Sequence, residues 1–156
     1  MANQIPDRNG SGTVKYMAVI KRLDNTEILE SATQIVKSAQ KSVKATMLAK
    51  EEIQNPLPKA YFSLLKKKMG SGVLVHRVGF GTTHEFRKIK KSVEIKSKHY
   101  AFHLVPKSGY RRMLLVDDSK LMFVKTLQGK KYFYFTKDRE KVRSYRKYFD
   151  RIIRRG

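Results

Sequence analysis

Apolar positions recur along the chain with two different periods. Ile28, Leu29, Ala32, Ile35, Val36, Ala39 and Val43 fall at helical steps, the spacing that gathers side chains on one face of an α-helix. Glu30, Gln34, Lys37 and Lys41 form its water side. Asp24, with Glu27 three residues on, predicts a capping box at its start. Val43 to Leu48 reads as a strand entering the core. Pro56 and Pro58 close a loop, and Ala60, Tyr61, Leu64, Leu65 and Met69 predict a second helix that stops at Gly70 and Gly72. Val73 to Phe80 is the next strand. With Val14 to Ile20 taken as a strand or lead-in, the order is strand-helix-strand-helix-strand, which predicts a parallel α/β sheet.

Past Gly81 the pattern loosens. "TTHEFRKIKKSVEIKSK" reads as a short helix and then a loop. Four short strands follow, "HYAFHLV", "RRMLLVD", "KLMFVKT" and "KYFYFT", separated by turn residues at 106–109, 117–119 and 128–130. The spacing of the last pairs predicts antiparallel hairpins. "KDREKVRSYRKYFDRIIRR" predicts a closing helix with Val142, Tyr145, Phe149 and Ile152 turned inward. Gly10, Ser11 and Gly12 make residues 1–13 a flexible tail by this reading, and residues 14–156 a single domain without internal repeat.

Composition sharpens the picture in one respect. The chain has 35 Lys and Arg against 13 Asp and Glu, a formal net charge of +22. Such an excess attracts polyanions, whether nucleic acid or an anionic surface. Hydrophobic content of 40% over 156 residues suits a folded domain rather than a disordered chain. Cysteine is absent, which excludes disulfides and thiolate metal sites and suits a reducing interior. No apolar run reaches the roughly 18 residues that cross a bilayer. The polar start carries no apolar signal core, so a cytoplasmic protein is expected.

The candidate chemistry is sparse. His76, His84, His99 and His103 form no metal-binding spacing; His99 and His103, four apart on a predicted strand, would share a side. No cofactor is indicated. "GFGTT" (79–83) follows a strand and precedes a helix, where backbone amides at Gly79, Gly81 and Thr82 would meet a phosphate or sugar. It lacks the lysine of a P-loop, and a tight turn is the default reading, with the anion or sugar contact secondary to it. The cations concentrate in two places. One is the Arg87–Lys98 segment, with Arg87, Lys88, Lys90 and Lys91. The other is the last helix, where Arg139, Arg143, Arg146 and Lys147 share the face opposite the apolar stripe. Such a face either tracks a phosphate backbone or is a solvated helix back.

"GYRRMLLVDDSK" (109–120) places basic residues, a strand and an aspartate in sequence. Phospholipase D-type phosphodiesterases carry His-x-Lys-(x)4-Asp at such a strand, the His attacking phosphorus and the Lys stabilising the phosphate charge. Aligning Asp117 with that Asp puts Tyr110 at the His position and Arg112 at the Lys position. A phenol, with a reference pKa of about 10, does not replace an imidazole nucleophile at neutral pH. The hydrolytic motif is therefore absent. Four patches resemble the effector-binding domain of TrmB-type archaeal transcription regulators, a non-catalytic branch of that fold: "YMAVIKRLDNTEILESATQIVKSAQKSV", "GSGVLVHRVGF", "RRMLLVDDSKLMFV" and "FTKDREKVRSYRKYFDRIIRR".

The resemblance implies an α/β phospholipase D-like single domain: a mixed sheet flanked by helices, with C-terminal hairpins and a closing helix. It also implies a homodimer. The winged helix of those regulators has no counterpart in the residues before the first patch. Three functional expectations follow. The first is a non-catalytic, nucleic-acid-binding or transcription-regulatory protein that uses phosphate contacts. The second is a sensor of a small, sugar-like effector, with a cleft lined by "GFGTT", Arg111, Arg112 and Asp117, acting on a DNA-binding partner. The third is a divergent phosphodiesterase that uses His103 or His99.

Overall fold

The first predicted helix forms one turn later than its polar start suggested. In the computed structural model, which describes residues 20–155 and the backbone of residues 3–6 and 14–17, α1 spans Ile28–Lys37 and no side chain caps it. The Glu27 carboxylate accepts from the Asp24 N–H at 3.1 Å, and the Glu27 N–H donates to the Asp24 carbonyl at 2.9 Å. The expected capping pair therefore closes a turn ahead of the helix. Only the Glu-to-backbone half of the box is made.

The strand that follows α1, β4 (Ser42–Leu48), runs parallel to β5 (Leu74–Phe80), and β5 parallel to β6 (Tyr100–Val105). Three helices fill the crossovers: α2 (Ala49–Gln54), α3 (Lys59–Gly70) and α4 (Thr83–Ser92). Helix α2 falls where the sequence predicts a loop closed by Pro56 and Pro58. Six residues are too few for a periodic signal, and the helix stops at Asn55 because Pro56 disfavours helical geometry before it.

On the other side of β4 the sheet turns antiparallel. It continues through β7 (Met113–Val116), β8 (Lys120–Leu127) and β9 (Lys130–Thr136), and β3 (Lys21–Leu23) closes that edge. The order is β3-β9-β8-β7-β4-β5-β6, so the predicted hairpins and the predicted mixed sheet are both present. The β8–β9 link is the two residues Gln128 and Gly129, both with positive φ (51° and 77°); this left-handed pair matches the strand twist of a tight hairpin. Val14–Met17 (β2) is a strand, but it pairs with Asn3–Pro6 (β1) in a separate two-stranded sheet. That strand β1 falls within the segment read as a tail; the remainder of 1–13 lies outside the described residues.

Two cores sit on the two faces of the main sheet. Val36, Val43, Leu65, Val75 and Val116 pack under α1 and α3. Val78, Leu115, Leu121, Phe123 and Phe149 pack under α5 (Arg139–Ile153). Each such fully buried side chain contributes about 1.5–3 kcal/mol. The strand "MLLV" supplies both cores in alternation, Leu114 and Val116 to one and Met113 and Leu115 to the other. A run buried on both faces reads as continuous apolar sequence. On α5, Tyr148 joins the four inward residues expected from the spacing.

Candidate nucleic-acid interface and ligand cleft

Helix α4 packs through Ile89 against Met47, Ala49 and Phe102. These lie on the α1–α3 side of the sheet, because Phe102 and Met47 flank Arg77, which stands over the Phe62 ring of α3. Helix α5 covers the opposite side. The two groups of cations singled out by sequence thus sit on opposite faces. Arg87, Lys88, Lys90 and Lys91 are exposed on α4, and Arg139, Arg143, Arg146 and Lys147 are exposed on α5. Among the described residues, the ion pairs are made elsewhere, by Lys44, Arg77, Lys96, Arg112 and Lys131. The eight helix cations therefore have no carboxylate partner among the described residues.

The "GFGTT" turn is closed on itself. Thr82 caps α4 by accepting from the Glu85 N–H at 3.2 Å, and the Glu85 carboxylate accepts from the Thr82 N–H at 3.0 Å. The Gly81 N–H donates to the Val105 carbonyl at 3.1 Å. Gly81 brings the turn so near that an added Cβ would lie 2.7 Å from Glu85 Oε1 and 2.9 Å from the Ala49 Cβ. A carboxylate thus occupies the helix N-terminus that a phosphate would need, and its backbone bond to Thr82 holds Glu85 below the usual carboxylate range.

Arg111 and Arg112 lie at the C-terminal end of β4, the end of a parallel strand where α/β sheets gather ligands. Irregular backbone is held there by side chains. The Thr46 hydroxyl donates to the Arg111 carbonyl at 2.6 Å and accepts from the Met113 N–H at 3.0 Å. The Tyr148 hydroxyl accepts from the Arg111 N–H and donates to the Gly109 carbonyl, both at 2.8 Å. The two arginines diverge. Arg111 lies over the Tyr148 ring at 5.2 Å, on the α5 face. Arg112 lies over Phe133 at 5.2 Å and reaches the Glu51 carboxylate at 3.9 Å.

Asp117 stands at the opposite end of the sheet. Its carboxylate accepts from the N–H groups of Lys41 (2.7 Å), Ser42 (3.0 Å) and Gln40 (3.0 Å), tying the β7–β8 turn to the start of β4. Burial pushes its pKa up, but those three donors and Lys120 outweigh it and hold the carboxyl below its ordinary value. Asp117 therefore does not share a cleft with Arg112.

A cavity of about 530 Å³ opens beside Arg112, between α1, α2, α3 and the sheet, within the usual range for small-molecule sites. Ile28, Ala32, Leu65, Met122 and Phe133 give it an apolar wall. Its charged groups are the buried Arg77–Glu52 pair, 3.2 Å apart, and Arg112 and Lys131, which share Glu51 at the exposed rim. Sequence reasoning found Arg112 but missed Arg77, Glu51 and Glu52, because the last two fall on the short helix it did not detect. Tyr110 also lines this cavity. Burial drives its phenol well above the ordinary value, opposed in part by Arg112 and by the Leu48 backbone beside its hydroxyl, which makes no regular hydrogen bond among the described residues.

The histidines are dispersed. His103 packs on His76 of the neighbouring strand, with ring centroids 4.5 Å apart, and His76 in turn meets Phe149 at 5.4 Å. Burial, then His103 and Lys44, lowers the His76 pKa. His99 precedes β6 rather than standing beside His103 on it. Among the described residues no group of His, Asp and Glu is placed to hold a metal ion, and no helix is long and apolar enough to cross a membrane.

No family model matches the chain, and no curated protein matches its sequence. Its fold, however, is that of solved structures. NucT from Helicobacter pylori superposes with a TM-score of 0.63 at 15% identity, over 90% of this chain and 98% of that one. TrmBL2, an archaeal chromatin protein with a novel mode of DNA binding, gives 0.58 at 11% identity, over 86% of this chain and 51% of that one. Nuc from Salmonella typhimurium, a phospholipase D family member, gives 0.55 at 11% identity, over 89% and 95%. The chain has the phospholipase D-like fold.

Proposed function

We propose that this chain is a non-catalytic phospholipase D-like domain that binds nucleic acid through sequence-independent phosphate contacts, in a transcription-regulatory or chromatin setting. One observation carries the reading. On a chain of net charge +22, the exposed cations of α4 and α5 lack carboxylate partners among the described residues. Glu85 on α4 and Glu140 and Asp150 on α5 leave both helices with a large excess of cations, which a phosphate backbone relieves. The likeness to TrmBL2 agrees with nucleic-acid binding; the TrmB-like branch of the fold, suggested by the sequence resemblance, and a homodimer are part of the proposal.

The absence of catalysis is part of the proposal. It rests on the sequence register that aligns Asp117 with the Asp of the hydrolytic motif and so puts Tyr110 and Arg112 at its His and Lys positions. A phenol raised by burial is a poor nucleophile near neutral pH. Incubating the protein with DNA, RNA and a generic phosphodiester should give no turnover; turnover removed by His103→Ala or His99→Ala would reinstate the phosphodiesterase reading.

The test of binding is a salt titration with labelled DNA and RNA. Affinity should fall linearly on a log–log plot, with a slope near −0.9 for each phosphate contact on duplex DNA. Binding unchanged between low and high salt would refute the proposal.

A second reading, a small-effector sensor, is favoured by the 530 Å³ cavity with Arg112 and Lys131 at its rim. It predicts that a small anionic or sugar-like molecule raises the melting temperature.

A further inference from the structure

The face of the sheet under α5 is not covered to its end. Helix α5 packs over strands from β6 to β8, and Tyr134 and Tyr132 of β9 remain half-buried beyond it. Aromatic rings run outward from the helix in a chain. Tyr148 meets Tyr145 at 6.4 Å, Tyr145 meets Phe123 at 5.3 Å, and Phe123 stacks on Tyr134 at 5.3 Å.

Cations lie along this row. Arg111 sits over Tyr148 at 5.2 Å. Lys141 sits over Phe123 at 5.1 Å and Tyr145 at 6.0 Å. Arg22 sits over Tyr132 at 4.5 Å. Lys125 lies two residues along β8 from Phe123, on the same side, opposite Tyr132. None of the four makes an ion pair among the described residues. Asp138 also faces Lys141, but its carboxylate is engaged at the start of α5 by the Lys141 backbone N–H at 3.0 Å. Burial and the crowding of Lys125 and Arg111 push the Lys141 ammonium below its ordinary value. Like charges gathered this closely repel one another, and the rings beneath offset only part of that cost.

We propose that Arg22, Lys125, Lys141 and Arg111 form a phosphate-binding track on the α5 face, and that this track, rather than α4, seats the nucleic-acid backbone. It rests on the nucleic-acid reading above and deepens it by naming the face. Tyr145 and Tyr148 are buried, only 7% and 4% exposed, so bases cannot stack on those two rings, and the four cations are the groups that meet phosphates.

The experiment compares three full-length proteins for binding to a labelled 20-base-pair DNA duplex and a labelled 20-nucleotide RNA across a salt series. They are the wild type, R22Q/K125Q/K141Q, and a control of equal charge, K59Q/K66Q/K67Q, on α3. The track variant should weaken binding about tenfold or more and flatten the salt slope by about one per residue removed; the control should change the slope by less than one. Equal effects of the two variants would overturn the track while leaving nucleic-acid binding intact. Failure of the wild type to bind either probe would overturn both. Lys125→Glu alone, on an exposed hairpin position, keeps the comparison decisive where the triple variant unfolds: it should weaken binding more than Lys66→Glu, and parity would count against the track.

Discussion

Arg77 of β5 and Glu52 of α2 form an ion pair of 3.2 Å with side chains only 4% and 10% exposed. The guanidinium is held further by the Met47 sulfur at 3.5 Å, the Tyr100 hydroxyl at 3.4 Å and the rings of Phe62 and Phe102. The pair ties the short helix α2 to the sheet and forms the floor of the cavity. Burial, opposed in part by Arg77, carries the neighbouring Tyr61 phenol up to about 12.

Removing one partner of such a pair leaves the other charged and buried. Glu52→Ala is expected to cost about 3–5 kcal/mol in urea unfolding. The double variant R77M/E52L should recover most of that loss, because an apolar pair of similar volume needs no desolvation of charge. A single variant as stable as the wild type would mean that the pair is solvated rather than buried.

Asp117 gives a prediction in pH. Its folded pKa is depressed, by donors that outweigh the upward push of burial. The unfolded carboxylate titrates at about 3.9. The stabilising contribution is therefore complete above that value and fades as pH falls through the lower, folded pKa. Asp117→Ala should lose about 0.5–1.5 kcal/mol at pH 7, since the freed donors of Gln40 and Lys41 are exposed and regain water, and the difference from wild type should shrink on acidification towards pH 2. A difference that stayed constant from pH 7 to pH 2 would contradict the assignment.

Much of this architecture is legible in the sequence because burial imposes a period. The α1 stripe, the twice-buried "MLLV" and the closing helix each leave a regular apolar signature. What escaped has no such signature. α2 is shorter than two turns, and the late start of α1 follows from Glu27 bonding to the Asp24 amide instead of Asp24 capping the helix. The site was harder still. Arg87 and Arg143 look alike as letters, and only the crossover of α4 to one face and the return of α5 on the other separates them. Arg22, Lys125 and Lys141 are scattered over 120 residues and meet only because β3, β8 and α5 converge at one edge of the sheet.

Tyr110 tests the reading of its position as catalytically inert. Its hydroxyl is buried beside the Leu48 backbone without a regular hydrogen bond among the described residues, and the ring packs on Phe80 at 5.1 Å. Tyr110→Phe keeps the packing and removes the unsatisfied group, so stability should be unchanged or should rise by about 1 kcal/mol. Nucleic-acid affinity should not move. A marked loss of either would show that the hydroxyl has a partner in the working protein.

Gly81 and Thr82 form one device, and their variants should differ in kind. Thr82→Ala removes the cap of α4 and should cost about 0.5–2 kcal/mol. Gly81→Ala keeps Thr82 but drives a methyl group into Glu85 Oε1 and the Ala49 Cβ. The Glu85 carboxylate can swing away, which dissolves the capping box; Ala49, at the start of α2, cannot. The expected cost is about 1–3 kcal/mol from overpacking, and combining the two substitutions should cost less than their sum, since the first already breaks the box that the second disturbs. Chemical denaturation of the two single variants and the double variant measures this coupling. Strict additivity would mean that the close approach of Gly81 to α2 and the cap of α4 are independent.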